Sequence, residues 1–345
     1  MKSVLLLLLM VLCCFSCQSY RVVGIEVYNP ASITFQPEAR TVMIVNNAAQ
    51  QPDDIVSQEF YQEGQEKKLW FSADSMGYLF CLSLGNAIAE SPLFDDVRLC
   101  TDTLRKDSNF FVSRPFSPSE IKSFCDLYDV DALITLDKMY FKPQFEPTSL
   151  NYPYVFIQLI GELKAVYPGS QVAQAITFSD SIYIAPYAFE FYYSREPFQY
   201  TSQDVMAAMR SLSEYTGQRL HTHFVPHWIS DSRWVFTSFS SEWKRATAYA
   251  RADKWEMAAT EWRASFEKTK QWKKKAFLAS NLALCHEIAG DFAKAIEYAE
   301  TADSLFKQNA NEDHKFRKWQ HKYLEQLKKR SEDDKTISLQ LREAR

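Results

Sequence analysis

Near Ser241 the chain changes its periodicity, and this break constrains the fold more than any other feature of its 345 residues. Before it, β-branched runs alternate with amphipathic helical stretches. After it, strand signals vanish and alanine-rich helical patterns run toward the C-terminus. Apolar residues spaced by three and four cannot cover the same surface as residues spaced by two, so the two parts need different cores. The expected fold class is α+β: an α/β sandwich domain with a long β-hairpin over residues 17–235, then an all-α helical repeat domain over 236–330. Residues 331–345 form a polar tail, a final helix or a frayed end.

Within the first part, "RVVGIEVY" and "RTVMIVNN" are strands by their β-branched content, and Pro30 and Pro37 make the link between them loop or edge. Met76, Leu79, Phe80, Leu84, Ala87 and Ile88 follow the helical period until Pro92 stops it. "DDVRLC" is a short strand. Ser117 as N-cap, Pro118 at the first helical position and Glu120 three residues after the cap predict a helix, with Ile121, Phe124, Cys125 and Tyr128 on its apolar face. "DALITLDKMYF" is apolar on both faces, as a central strand would be. Around the turn Tyr167 to Ser170, Val155, Ile157, Leu159 and Leu163 line one face, and Val172, Ile176, Phe178, Ile182 and Ile184 line the return. A helix from about Ser202 to Leu220 closes the region. This order of elements resembles the TolB N-terminal domain and the CsgG-type secretion lipoproteins.

Past the break, "AFLASNLALCHEIAGDFAKAIEYAETADSLF" resembles a tetratricopeptide repeat. Asn281, Leu282 and Ala283 take the packing positions of its helix A, Gly290-Asp291 the turn, and Phe292, Ala295, Ile296 and Ala302 those of helix B. Ala279 and His286 stand where helix A aromatics are usual. A shift of 37 residues gives a weaker copy, with Ala246 on Ala283, Tyr249 on His286, Trp255 on Phe292, Ala258 on Ala295, and Asp253 in place of the turn glycine. Two repeats fall short of the roughly three that such stacks need. Glu312 to Arg330, with Phe316, Trp319, Tyr323 and Leu327 in one stripe, is therefore expected to cap them. The resemblance implies a concave protein-binding face at Trp243, Thr247 and Arg251 in the first repeat and Ser280, Leu284 and Glu287 in the second. The alternative is that these helices serve only internal packing against the α/β domain.

The N-terminus places the chain in an envelope. Lys2 precedes the unbroken apolar run Val4 to Leu12, too short for the ~20 residues that span a bilayer and suited to a secretory signal. The segment resembles a bacterial lipoprotein signal, with residues 1–16 removed and Cys17, after Ser16, as the acylated residue. Cys14 is the alternative. Cys81, Cys100, Cys125 and Cys285 remain, either as buried thiols or with one disulfide among the first three. With "RTVMIVNN", "DALITLDK", "VPHW" and the trailing repeats, the chain resembles a family of Bacteroidota lipoproteins. That resemblance implies an outer-membrane lipoprotein. No acidic residue follows Cys17 before Glu26, which suits a protein facing the periplasm.

Signals for chemistry are sparse. Three of the six histidines, His221, His223 and His227, fall in "HTHFVPHW". Extended backbone puts His221 and His223 on one face, so a metal-dependent hydrolase is one alternative, yet no H-E-x-x-H pairing is present. Pro226 forbids a continuous helix. The competing expectation is a junction buried by Trp228 and Trp234, with Trp228→Ala costing about 3–5 kcal/mol. A small-ligand sensor between the domains is a further alternative. With eight glycines and no phosphate-cradling motif, no cofactor is expected. Asp53-Asp54 and Asp95-Asp96 suit solvated loops. The net charge of −4 argues against nucleic acid. The lysines in "EKTKQWKKK", Glu267 to Lys275, suit a solvated loop, an anionic lipid or an acidic partner. The leading expectation is a non-enzymatic, lipid-anchored scaffold holding an envelope protein or peptide. Cys17→Ala is expected to abolish labelling by a palmitate analogue; labelling lost only in Cys14→Ala would move the anchor.

Overall fold

The computed structural model describes residues 20–53, 58–62, 65–69, 71–102, 104–105, 107–146, 154–169, 174–184 and 201–341. The signal, Cys14, Cys17, Asp54 and Val172 lie outside them. The fold is α+β, in two compact units: residues 30–227 with 338–345, and residues 1–29 with 228–337.

The first unit is built on a mixed five-stranded sheet of order β5-β2-β6-β7-β8. Its strands are β2 (Thr41–Asn46), β5 (Asp96–Cys100), β6 (Ala132–Glu146), β7 (Tyr154–Val166) and β8 (Gln174–Ile184). Strand β2 pairs in parallel with β5 and β6, while β6, β7 and β8 form an antiparallel meander. The apolar "ALITL" run is central, as its two-sided character requires. Alternation divides the core between the faces. Val42 and Ile44 meet helices α1 (Met76–Ala89) and α3 (Ser202–Leu220), whereas Met43 and Val45 meet α2 (Pro118–Tyr128) on the other side. A Cβ on Gly217 of α3 would lie 2.3 Å from the Phe80 carbonyl oxygen of α1, so only glycine permits this helix contact. The Ser117 capping box forms, and Ile121 and Cys125 are buried. A second short hairpin, β3 (Gln58–Gln62) with β4 (Gln65–Leu69), has no apolar alternation and was invisible in the sequence. Cys81, Cys100, Cys125 and Cys285 are buried free thiols. Burial pushes the Cys125 thiol up to about 11 and Cys285 to about 12.

The second unit holds β1 (Tyr20–Asn29) paired with β9 (His227–Phe236), and the helices α4 (Ser241–Arg251), α5 (Trp255–Lys268), α6 (Trp272–Ile288), α7 (Phe292–Asn309) and α8 (Lys315–Gln340). By their contacts β1 and β9 thus group with the helices, whereas the sequence pattern places them within 17–235. Alternation in Arg21–Tyr28 specifies a strand but not its partner. The partner is β9, and Ile25, Val27, Val235 and Phe236 share a core with Trp243, Trp262 and Phe277. Asn281 of α6 holds the strand to the helices: its side chain accepts from the Phe236 amide at 2.8 Å and donates to the Phe236 carbonyl at 2.8 Å. Residues 331–340 are helical rather than a loose tail. In the α/β unit, buried Gln340 accepts from the Ala31 amide and donates to the Ala31 carbonyl, both at 3.0 Å.

The two helical hairpins follow the 37-residue shift closely. Asp253 and Gly290, which the shift superposes, both have left-handed backbone, φ 54° and 75°. Each is followed by the same six-residue closure, Lys254 N–H to the Tyr249 carbonyl and Asp291 N–H to the His286 carbonyl, both 2.9 Å. A side chain at Gly290 must bear left-handed strain, so Gly290→Val is expected to lose about 1–2 kcal/mol. Asp253→Gly is expected to gain a fraction of that in urea denaturation. Equal midpoints for both variants and the parent would reject the turn geometry.

Candidate functional site

The positions expected to line a concave groove are mostly inside the molecule. Trp243, Ser280 and Leu284 are each 1% exposed and Glu287 2%. Thr247 is half-buried, and Arg251 alone is exposed. The physical reason is that α6 is enclosed on the side a repeat would leave open: Ala276 to Cys285 are all buried. Strand β9 and helix α8 occupy that side, through Asn281 and Glu287.

Glu287 receives most of this packing. Its carboxylate accepts from Arg233 Nη2 at 2.9 Å, from the Tyr323 hydroxyl at 2.7 Å and from Arg330. Arg233 is itself paired with Asp231. Burial opposes the Arg233 charge, but Glu287 and Asp231 outweigh it and raise its pKa; burial, reinforced by the Glu287 charge, holds the Tyr323 hydroxyl protonated. Two carboxylates and two guanidiniums cancel.

An open groove lies elsewhere, between α5 and α6 at the end where the repeat turns cluster. It encloses about 780 Å³ and is lined by Trp255, Met257, Thr260, Arg263, His286 and Ile288 among others. Met257 is 46% exposed and Ile288 37%. His286 stacks on Tyr298 with centroids 5.5 Å apart, and its Nε2 lies 3.4 Å from Arg263 Nη2. Burial, with the cations Arg263 and Lys294, outweighs Asp291 and lowers the His286 pKa. A neutral ring accepts from Arg263 without cancelling its charge. Sequence reasoning missed these residues because the family pattern assigns binding to helix A, whereas Met257 and Arg263 belong to helix B.

The histidine cluster serves the backbone. His221 to His223 form one 3-10 turn after α3. His221 Nδ1 bonds the Gln218 carbonyl, His223 Nδ1 meets Ser32 Oγ at 3.1 Å, and His227 Nδ1 lies 3.4 Å from the Val225 carbonyl. Burial lowers the pKa of His223 and His227, with neighbouring positive charge adding to it. Among the described residues no three His, Cys, Asp or Glu side chains are grouped as a metal would need. Trp228 does not bury a junction: it is 65% exposed, against the Tyr28 ring. The large cost expected for Trp228→Ala is withdrawn. Trp234 is half-buried on Trp319.

A polar cluster on the sheet was also unforeseen. Lys164 Nζ lies 3.1 Å from Ser113 Oγ, 2.6 Å from Glu162 and 3.1 Å from Asp137. A serine beside a lysine suggests nucleophilic chemistry. However, the two carboxylates outweigh burial and raise the Lys164 pKa, which favours the ammonium over the free amine a base would need. The cluster instead ties the loop at Ser113 to the sheet. Its visible signal was Asp137, a charge inside an apolar strand, re-aimed by the irregularity between Leu136 and Lys138. At the carboxyl ends of β2 and β5, where ligands of open α/β sheets usually bind, a crevice includes Asn46, Gln51 and Ser75. Its 190 Å³ is below the roughly 300 Å³ of small-molecule sites, and buried Gln51 is occupied with Phe141.

Residues 39–236 match a family described as a domain of unknown function, DUF8603. The chain belongs to that family. Residues 244–329 match a second one, DUF6340, also described as a domain of unknown function. The first match spans the α/β sheet through β9, and the second spans α4 to most of α8, including the open groove. No curated protein matches the chain.

Glu287→Ala is expected to lose about 3–5 kcal/mol in denaturant unfolding, because Arg330 and the Tyr323 hydroxyl lose their buried acceptor and Arg233 keeps only the Asp231 carboxylate. Arg251→Ala should stay within about 0.5 kcal/mol. The opposite ranking would return these positions to a surface role.

Proposed function

We propose that this chain is a lipid-anchored envelope protein, facing the periplasm from the outer membrane, that acts as a non-enzymatic scaffold by binding a protein segment. Cys17 carries the lipid in this reading. Among the described residues no helix is long and apolar enough to cross a membrane.

The observation that carries the reading is the groove between α5 and α6. Met257 and Ile288 present apolar surface to water beside a guanidinium, and covering that surface is favourable at roughly 25 cal/mol per Å². Methionine adapts to irregular partners. Arg263 has no carboxylate in ion-pair contact among the described residues. The segment that fits offers an apolar side chain to Met257 and Ile288 and a carboxylate to Arg263. None of the six helix A positions named from the sequence lines this groove; the buried ones pack the helices beneath it.

A photo-reactive phenylalanine at Met257 or Ile288, activated in intact cells, is expected to give an adduct of one common mass. The exposed control position Glu300 should give none. Arg263→Glu should weaken the adduct without changing thermal unfolding. Absence of an adduct from both groove positions in folded, anchored protein would reject the reading.

A further inference from the structure

We infer that the basic, aromatic end of the helical unit beside the N-terminal strand rests on an anionic phospholipid surface. The inference depends on Cys17 as the anchored residue. Only Gln18 and Ser19 lie between Cys17 and Tyr20, where β1 begins, so the two are three peptide steps apart. At no more than about 3.5 Å per residue, the lipid lies within roughly 10 Å of Tyr20. Whatever surrounds Tyr20 must meet the bilayer.

What surrounds it is aromatic and cationic. The Tyr20 ring packs edge-on against Trp319 at 4.9 Å and Phe316 at 6.0 Å. Lys315 Nζ stands over all three rings, 5.5 Å from Tyr20, 4.8 Å from Phe316 and 5.8 Å from Trp319. Phe316 contacts Phe277 at 5.2 Å, and Lys273 Nζ lies 5.9 Å from the Phe277 centroid. Two further ring contacts therefore lead from the tether to the lysine run, which holds five lysines between Lys268 and Lys275 in a chain of net charge −4. Arg317 pairs with Glu312, and Lys318 with Asp313. Among the described residues Lys273, Lys274, Lys275 and Lys315 have no carboxylate partner.

Physical chemistry favours lipid as the occupant. Phe316 and Phe277 are core residues that hold the patch from inside, whereas half-buried Tyr20 and Trp319 are the amphipathic rings that settle at the headgroup level. Each lysine near an anionic leaflet strengthens partitioning about fivefold. The arrangement also orients the proposed groove. Helices joined by turns of three residues, or five between α7 and α8, run antiparallel, so the end of α5, the start of α6 and the start of α8 lie at the tether end. The groove residues Met257, His286 and Ile288 lie at the other, roughly 25 Å away along the 17-residue α6. Held at its basic end, the unit presents the groove away from the bilayer.

The test uses the full chain purified from membranes and reconstituted into vesicles of phosphatidylcholine, with or without phosphatidylglycerol. Acylation of lysines by an amine-reactive ester is followed residue by residue by mass spectrometry. Lys273, Lys274 and Lys315 should react several-fold more slowly when phosphatidylglycerol is present, while Lys254 and Lys294 at the turn end are unchanged. High salt should restore the rates, since exposed charges are screened. In Lys273→Glu combined with Lys315→Glu, both exposed side chains, protection of Lys274 should disappear. Equal rates in the two vesicles, or protection that requires added envelope protein instead of lipid, overturn the inference. The mass of the Cys17 peptide reads the anchor separately: lipidated but unprotected protein removes the face and keeps the anchor, and unlipidated but protected protein does the reverse.

Discussion

One buried carboxylate organises the helical unit. Glu287 has no exposed side-chain surface, and it meets Arg233 from β9 and Arg330 from α8. Removing a carboxylate from water costs several kcal/mol, and the cost is offset only where charge and hydrogen bonds compensate fully. Here they arrive at α6 from two separated stretches of chain, β9 and α8. The helices cannot take this arrangement unless β9 is in place, and Arg233 cannot be buried unless α6 and α8 are. Burial of Ala276 to Cys285 along α6 follows from the same enclosure.

Enclosure changes what a repeat pair can do. Two helical hairpins alone would leave apolar helix faces wet. In this chain a strand pair and a capping helix fill the concave side, which completes the core with two repeats. Exposed surface is left at the rim, where Met257, Arg263 and Ile288 remain open.

The α/β unit uses another device repeatedly. Gln51 on Phe141 and Gln340 on Ala31 each saturate both backbone groups of one residue with a side-chain amide. Such clasps satisfy buried polar backbone where no strand is available. The Asp137–Lys164–Glu162 cluster instead compensates buried charge between side chains.

Local periodicity by itself determined most of the strands and helices, though not β9 or the β3–β4 hairpin. The Ser117 cap, the hairpin around Tyr167–Gly169, the helix Ser202–Leu220 and the repeat turns at Asp253 and Gly290 were all legible, because alternation, capping and left-handed turns are set by near neighbours. Sequence could not supply partners. Arg21–Tyr28 reads equally well as a strand of either unit, and the choice of β9 came from Ile25 and Val27 sharing a core with residues more than two hundred positions away. The weak β3–β4 hairpin had no pattern to read. The same limit governed the site: helix A positions predicted as a groove became interior once β9 and α8 covered them, and Trp228 remained exposed. Which side of a helix meets water depends on what the rest of the chain places there, and that is decided only by tertiary packing.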